Sequence, residues 1–164
     1  MNEHNDVSSI FSICGKTALV TGGSRCIGLM IARGYVVAGA TVYITSRTAE
    51  VCDAVAEELS AVGRCTSLPS DLSTMEGVEH LVRAISEHEE QLHILVNNAC
   101  AAWREPNETN PEKGIDKITD LNQKSLYFLT RDLFTKLEKP ASPEDPALHI
   151  NIGSNDAIRL PYVP

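Results

Sequence analysis

The chain has 164 residues, 43% of them apolar and 22% charged, with a formal net charge of -8 at pH 7. A single domain of this length buries about two thirds of its unfolded surface, and the acidic balance repels nucleic-acid phosphates and anionic lipid. Five cysteines, Cys14, Cys26, Cys52, Cys65 and Cys100, form no CxxC pair and are odd in number, which argues against a disulfide framework or a metal site and for a reducing compartment. Met1 to Ser9 is polar and carries Glu3 and Asp6, without the basic start and apolar core of a signal peptide, and no run approaches 18 apolar residues. The expectation is a soluble cytoplasmic protein with a polar tail at 1–12 and one domain over 13–164, binding neither nucleic acid nor membrane.

In chain order, the first apolar run predicts a strand from Thr17 to Thr21. It leads into Thr21-Gly22-Gly23-Ser24-Arg25-Cys26-Ile27-Gly28, which opens a helical stretch. A second strand is predicted from Thr41 to Thr45, ending Ile44-Thr45-Ser46-Arg47, and Val51, Val55 and Leu59 with Cys52 and Ala56 form the stripe of the next helix. A third strand, Cys65 to Leu68, precedes Asp71-Leu72. Ser73-Thr74-Met75-Glu76 has the capping-box form and starts a helix whose apolar face is Val78, Leu81, Val82 and Ile85. The fourth strand, His93 to Asn97, ends in Asn97-Asn98-Ala99-Cys100. One long helical segment is predicted from Pro111 to Lys139, with Ile115, Ile118, Leu121, Leu126, Leu129, Leu133 and Leu137 on its apolar face. Pro140, Pro143 and Pro146 enforce a loop, and the last strand, Leu148 to Ile152, leads to Gly153-Ser154. Strands alternating with helices predict an α/β fold with a parallel sheet of about five strands.

A glycine-rich turn between a strand and a helix lets backbone N–H groups approach a pyrophosphate, whose charge the helix N-terminus stabilises. By itself it is equally the mark of an ordinary tight turn. Together with Asp71-Leu72, Asn97-Asn98-Ala99-Cys100 and Asn151-Ile152-Gly153-Ser154 at their spacings, the chain resembles the short-chain dehydrogenase/reductase family, especially members similar to 3-oxoacyl-carrier-protein reductases. The resemblance covers residue 10 to the end. It implies a Rossmann-type doubly wound sheet and a nicotinamide dinucleotide. An acid at the end of the second strand would select NAD by binding the ribose 2′-OH; Ile44-Thr45-Ser46-Arg47 has none, and Arg47 with Arg25 suits the 2′-phosphate of NADP. The alternative for the two arginines is plain surface decoration. The resemblance further implies that Gly22, Ser24, Gly28 and Ser46 line the cofactor, that Asp71 bonds the adenine amine, that Asn98 lines the adenosine ribose and that Ile27 touches the nicotinamide half.

The family's chemistry is hydride exchange with a small carbonyl or alcohol substrate, assisted by a serine, an asparagine, a tyrosine and a lysine four residues after that tyrosine. Ser154 and Asn122 match the first two. Tyr162 follows the serine too early and has no lysine after it, and Tyr127, with Arg131 four residues on, precedes the serine. The tyrosine and lysine, and the part of the family fold beyond the fifth strand, are therefore expected to be missing from this chain, leaving that strand on an edge that invites oligomer contacts. Cys26 and Cys100 stand where the family has glycines, and a β-carbon at Cys26 is costly if the turn requires positive φ. The five histidines are scattered and imply no metal site. Two functions stay open: an NADP-dependent oxidoreductase acting on a 3-oxoacyl or polyketide-like carbonyl, and a catalytically incomplete remnant that serves as a dinucleotide-binding or interaction module.

Overall fold

A computed structural model of the chain describes residues 11–103, 105–106 and 108–154. The expected tail, apart from its last two residues, and Tyr162 lie outside them. Five strands, β1 Thr17–Thr21, β2 Thr41–Thr45, β3 Arg64–Ser67, β4 Ile94–Asn97 and β5 Leu148–Asn151, form one sheet in the order β3-β2-β1-β4-β5, with every neighbouring pair parallel. The crossovers are helical: α1 Cys26–Val37, α2 Ala49–Ser60, α3 Met75–His88, α4 Glu112–Thr119 and α5 Ser125–Glu138. The chain winds outward from β1 to β3 and then returns to place β4 on the other side of β1. The direction of winding reverses between β1 and β4, and a doubly wound sheet opens its ligand crevice at that point, above the carboxyl ends of the strands.

Alternation along the strands divides the core into two layers. Ala18, Val20, Val42, Ile44, Ile94 and Val96 face Ala32 and Val36 of α1 and Cys52, Ala56 and Leu59 of α2. Leu19, Tyr43 and Leu95 face Leu81 and Ile85 of α3 and Leu129, Leu133 and Leu137 of α5. Strands covered on both faces need continuous apolar runs, which is why β1, β2 and β4 were legible. Each fully buried leucine or isoleucine of these layers contributes about 1.5–3 kcal/mol of transfer free energy.

Three expectations are corrected by the packing. The α2 stripe is turned so that Cys52, Ala56 and Leu59 are buried while Val51 is exposed. The cap of α3 is Thr74, whose hydroxyl accepts from Gly77 N–H at 3.0 Å, and not Ser73; the Asp71 carboxylate takes both the N–H and the hydroxyl of Ser73, so neither serves the helix. The segment predicted as one helix from Pro111 to Lys139 is interrupted by a π turn, Asp120–Lys124, and Ile115 ahead of it is exposed. Strand β5 lies at an edge with Leu148 exposed, as expected. Among the described residues no helix is long and apolar enough to cross a membrane.

At the amino ends of the strands, His93 joins β1 to the segment before β4. Thr17 N–H donates to its Nδ1 at 3.0 Å, His93 N–H donates to the Thr17 carbonyl at 2.9 Å, and Lys16 beside it pairs with Asp145. Burial first, and the Lys16 charge second, hold the imidazole below its usual pKa. The folded state thus favours the neutral ring. Its contribution to stability is complete above the unfolded value of about 6.5 and is lost as pH falls through the lower folded value, because the unfolded chain then binds the extra proton. His93→Gln, which keeps an acceptor for Thr17, should make the midpoint of thermal unfolding fall less between pH 7 and pH 5 than in the parent chain. Parallel pH profiles for the two proteins would refute this assignment.

Candidate cofactor site

The turn after β1 and the loop after β4 are bound into one structure at the switch point. Thr21 Oγ1 accepts from the N–H groups of Asn98 and Ala99 at 2.9 and 3.0 Å and donates to the Val96 carbonyl at 3.3 Å. The Asn98 side chain returns the link, its Nδ2 donating to the carbonyls of Thr21 and Gly22 at 2.9 and 3.3 Å. Gly28 fits because a β-carbon there would stand 2.2 Å from the Gly22 carbonyl oxygen and 2.5 Å from Asn98 Nδ2. Gly22 combines φ +65° with the same close approach to Asn98. The sequence motif runs from Thr21 through Gly22 to Gly28 and a second one includes Asn98, but the motif gives the Thr21 side chain no role of its own.

Helix α1 begins at this turn with its first-turn N–H groups directed outward. Its N-cap, Arg25, is extended at φ -160° and supplies no side-chain cap, and the first turn holds no acidic residue. Among the described residues no carboxylate stands in that first turn, and the helix dipole favours an anion there. Beside it Ser24, Arg25, Ser46, Arg47, Thr48 and Val51 line a cleft of about 70 Å³. Among the described residues neither Arg25 nor Arg47 enters an ion pair, although the chain carries a net charge of -8. Two guanidinium groups without ion partners and three hydroxyl-bearing residues around one small cleft have the chemistry to hold a compact dianion such as a phosphate monoester. The four residues singled out there from sequence are thus brought together.

Cys26 works against that fit. Its φ is 49°, the one positive value among the described residues other than glycine. An L-residue in the left-handed region costs about 1–2 kcal/mol, and the side chain is exposed at the start of α1. Ile27, next to it, is exposed as well. Cys100 is exposed after β4, whereas burial pushes the Cys65 thiol up to about 11, which leaves it inert at neutral pH.

Asn122 lies in the π turn and both ends of its amide are engaged: Oδ1 accepts from Ala101 N–H at 2.8 Å and Nδ2 donates to the Ala101 carbonyl at 2.9 Å. The π turn aims the side chain at the loop after β4, a placement that such bulges often serve near functional sites. Asp71 is exposed after β3, with Oδ1 committed to Ser73. Ser154 is exposed three residues past β5. A larger hollow of about 320 Å³ lies between the start of α3 and the π turn, lined by Ser73, Thr74, Asp120 and Lys124 among others, and includes none of the candidate cofactor or catalytic residues. No cluster of His, Cys, Asp or Glu among the described residues could hold a metal ion.

A doubly wound sheet with a glycine turn at its switch point defines the class of dinucleotide-binding α/β proteins. The family profile for the short chain dehydrogenases matches residues 16–158, and the chain belongs to that family. It is 46% identical over 144 residues to the rhamnolipids biosynthesis 3-oxoacyl-[acyl-carrier-protein] reductase of Pseudomonas aeruginosa, covering 88% of this chain and 56% of that protein. It is 37% identical over 122 residues to the 2-dehydro-3-deoxy-D-gluconate 5-dehydrogenase of Bacillus subtilis, covering 74% of this chain and 47% of the relative. Among solved structures, the Pseudomonas aeruginosa RhlG/NADP active-site complex superposes with a TM-score of 0.88 at 45% identity, over 92% of this chain and 59% of that one. A metagenomic short-chain oxidoreductase in complex with NADP gives a TM-score of 0.79 at 32% identity, over 87% and 64%. The chain thus spans between about half and two thirds of the length of these relatives.

Cys26→Gly should raise stability by about 1 kcal/mol, because glycine adopts positive φ without penalty, while Cys26→Ala, which keeps the β-carbon, should gain nothing. Urea unfolding of the three proteins measures the difference. Equal stability of the glycine and alanine variants would show that the turn carries no strain.

Proposed function

We propose that this chain is the NADP(H)-binding part of a short-chain oxidoreductase that exchanges hydride with a small carbonyl or alcohol substrate, in the 3-oxoacyl or polyketide-like class. The observation that carries the reading is the cleft of Ser24, Arg25, Ser46 and Arg47, with unpaired guanidinium groups and no carboxylate at the end of β2. A ribose 2′-phosphate supplies the dianion that such a cleft lacks, whereas a 2′-OH would leave both arginines unanswered. The relatives described as NADP complexes support the same cofactor. When bound, the cofactor supplies the hydride chemistry.

The chain's own residues would do the rest. The first-turn N–H groups of α1 hold the pyrophosphate, with Gly22 and Gly28 allowing the close approach and Ile27 meeting the nicotinamide half. Asn98 faces the adenosine ribose and Asp71 the adenine amine through the carboxylate oxygen that Ser73 leaves free. Ser154 donates a hydrogen bond to the substrate oxygen, and Asn122 fixes the Ala101 loop beside it. Proton delivery to the developing alkoxide needs an acid that neither Ser154 nor Asn122 provides, and in the relatives' longer chains there is room for one. A reducing, cytoplasmic setting suits the five free cysteines, and the open edge of β5 suits contact with further polypeptide.

The second reading is a dinucleotide-binding module without turnover, favoured by the positive backbone φ of Cys26 where the family has a glycine. Titration calorimetry and a kinetic assay separate the two. NADP⁺ should bind at least tenfold more tightly than NAD⁺, and Arg47→Ala should weaken NADP⁺ by about ten- to a hundredfold with little effect on NAD⁺, the loss of one charge-assisted hydrogen bond of about 1.5–3 kcal/mol. Equal affinities would sink the cofactor assignment. NADPH oxidation with 3-oxoacyl and quinone substrates should run at least about 10²- to 10⁴-fold faster once a tyrosine–lysine segment of the family is appended, the usual contribution of a general acid. Equal rates with and without that segment would show that the acid lies within these 164 residues.

A further inference from the structure

Among the described residues, two buried side-chain atoms without a hydrogen-bond partner, Trp103 Nε1 and Asn110 Oδ1, face the same point. It is the place of the β-carbon that Gly114 lacks. An atom there would stand 2.6 Å from Asn110 Oδ1, 2.8 Å from Trp103 Cδ1 and 2.9 Å from Trp103 Nε1. Gly114 is buried in the first turn of α4, where a glycine weakens the helix and no positive φ calls for one. The demand for it is the space that the other two side chains take. Lys117, one turn on, places its ammonium 5.2 Å from the centroid of the indole ring, a cation–π contact that keeps the ring on its seat. The indole N–H can only donate and the amide oxygen can only accept. Buried groups of this kind are seldom left unanswered, and a donor and an acceptor at one notch can answer each other. The last torsion of an asparagine side chain is broad, so the amide can swing toward the indole.

We infer that Trp103 and Asn110 form a latch across Gly114, the indole N–H donating to the Asn110 amide oxygen, and that Trp103 is thereby a positioning residue for the loop after β4. Two other moorings hold this loop. Ala99 N–H donates to Thr21 Oγ1, and Ala101 is held through both its N–H and its carbonyl by Asn122. Trp103, two residues further on, carries the hold from the π turn to the first turn of α4. Asn110 meets it from the other end of the loop, directly before Pro111, the N-cap of α4. The stretch from Asn98 to Trp103 is thus fixed against β1, against the π turn and against α4. With only the first two moorings, the chain beyond Ala101 could shift and draw Ala99 and Asn98 with it, and those residues face the glycine turn. The latch sets the height of that wall of the crevice.

The test uses the whole 164-residue chain, in which Trp103 is the single tryptophan, so that one indole proton signal reports this site alone. Exchange of that proton with solvent should be about tenfold faster in Asn110→Leu than in the parent, the scale of one hydrogen bond, and Asn110→Asp, which keeps an oxygen in place, should restore the parent rate. Trp103→Phe keeps a ring on the seat and removes the donor. Urea should unfold Trp103→Phe and Asn110→Leu earlier than the parent, and the double variant no earlier than the weaker single one. Single variants that withstand more urea than the parent, the result for two atoms that stay orphaned, overturn the latch, as does exchange indifferent to Asn110. The consequence for the crevice rests on the cofactor reading above and is read by calorimetry on the folded proteins. Trp103→Phe, and Gly114→Ala, which puts a β-carbon into the notch, should each weaken NADP⁺ by about three- to tenfold. Unchanged affinity in variants that have lost the latch overturns the positioning role. A parent chain that binds no NADP⁺ overturns the cofactor reading instead, while exchange and unfolding still decide the latch.

Discussion

The hydroxyl of Thr21 is the constraint on which the crevice depends. It accepts two backbone N–H groups from the loop after β4 and donates to the end of that strand, so the turn after β1 cannot move without carrying Asn98 and Ala99. Parallel strands from distant parts of the chain have no local turn to fix their relative height. A buried side-chain oxygen at the last position of β1 does that work here, and the Asn98 amide closes the circuit from the other side. The close approach of Gly28 follows from it, since the space that a β-carbon would fill is already taken by Gly22 and Asn98.

Against that rigid frame the chemistry of the crevice is uneven. The chain carries a net charge of -8, while two arginines without ionic partners among the described residues line one small cleft. A local positive field on an acidic protein selects anions that come close and repels polyanions that need a broad surface. Cys26 sits at the edge of this field in a backbone conformation suited to glycine. The strain lies in the first turn of α1, beside the cleft of the two arginines.

The parts of the fold that were legible in sequence are those where one physical demand dominates. Strands β1 and β2 match their predicted bounds because burial on both faces requires unbroken apolar runs. In α2 apolarity alone does not give the buried face: Val51 is the more apolar residue, yet the smaller Cys52 fits under the helix with its thiol 3.5 Å from the Ile44 carbonyl. The π turn leaves a signal in the sequence, the five-residue step from Leu121 to Leu126 in a pattern that otherwise advances by three or four. Arg25, Arg47 and Cys26 were legible because charge and φ preference are properties of single residues. The bonds made by the Thr21 hydroxyl were not, because they come from the pairing of β1 with β4, which no single segment encodes.

The π turn gives the long helical segment a mechanical property that an uninterrupted helix lacks. It holds one residue more than an α-helical turn does, so α4 and α5 are out of phase across it. The segment behaves like a joint with slack already wound in. Loss of one residue between 120 and 124 would let the ladder close into continuous α-helix, leaving Leu129, Leu133 and Leu137 on the sheet while α4 rotates by about 100°. Asn122 would swing off the Ala101 backbone in the same movement. The core would scarcely register a change in chain length that dismantles one wall of the crevice, and descendants of such a sequence could diverge in function at this point while keeping the fold.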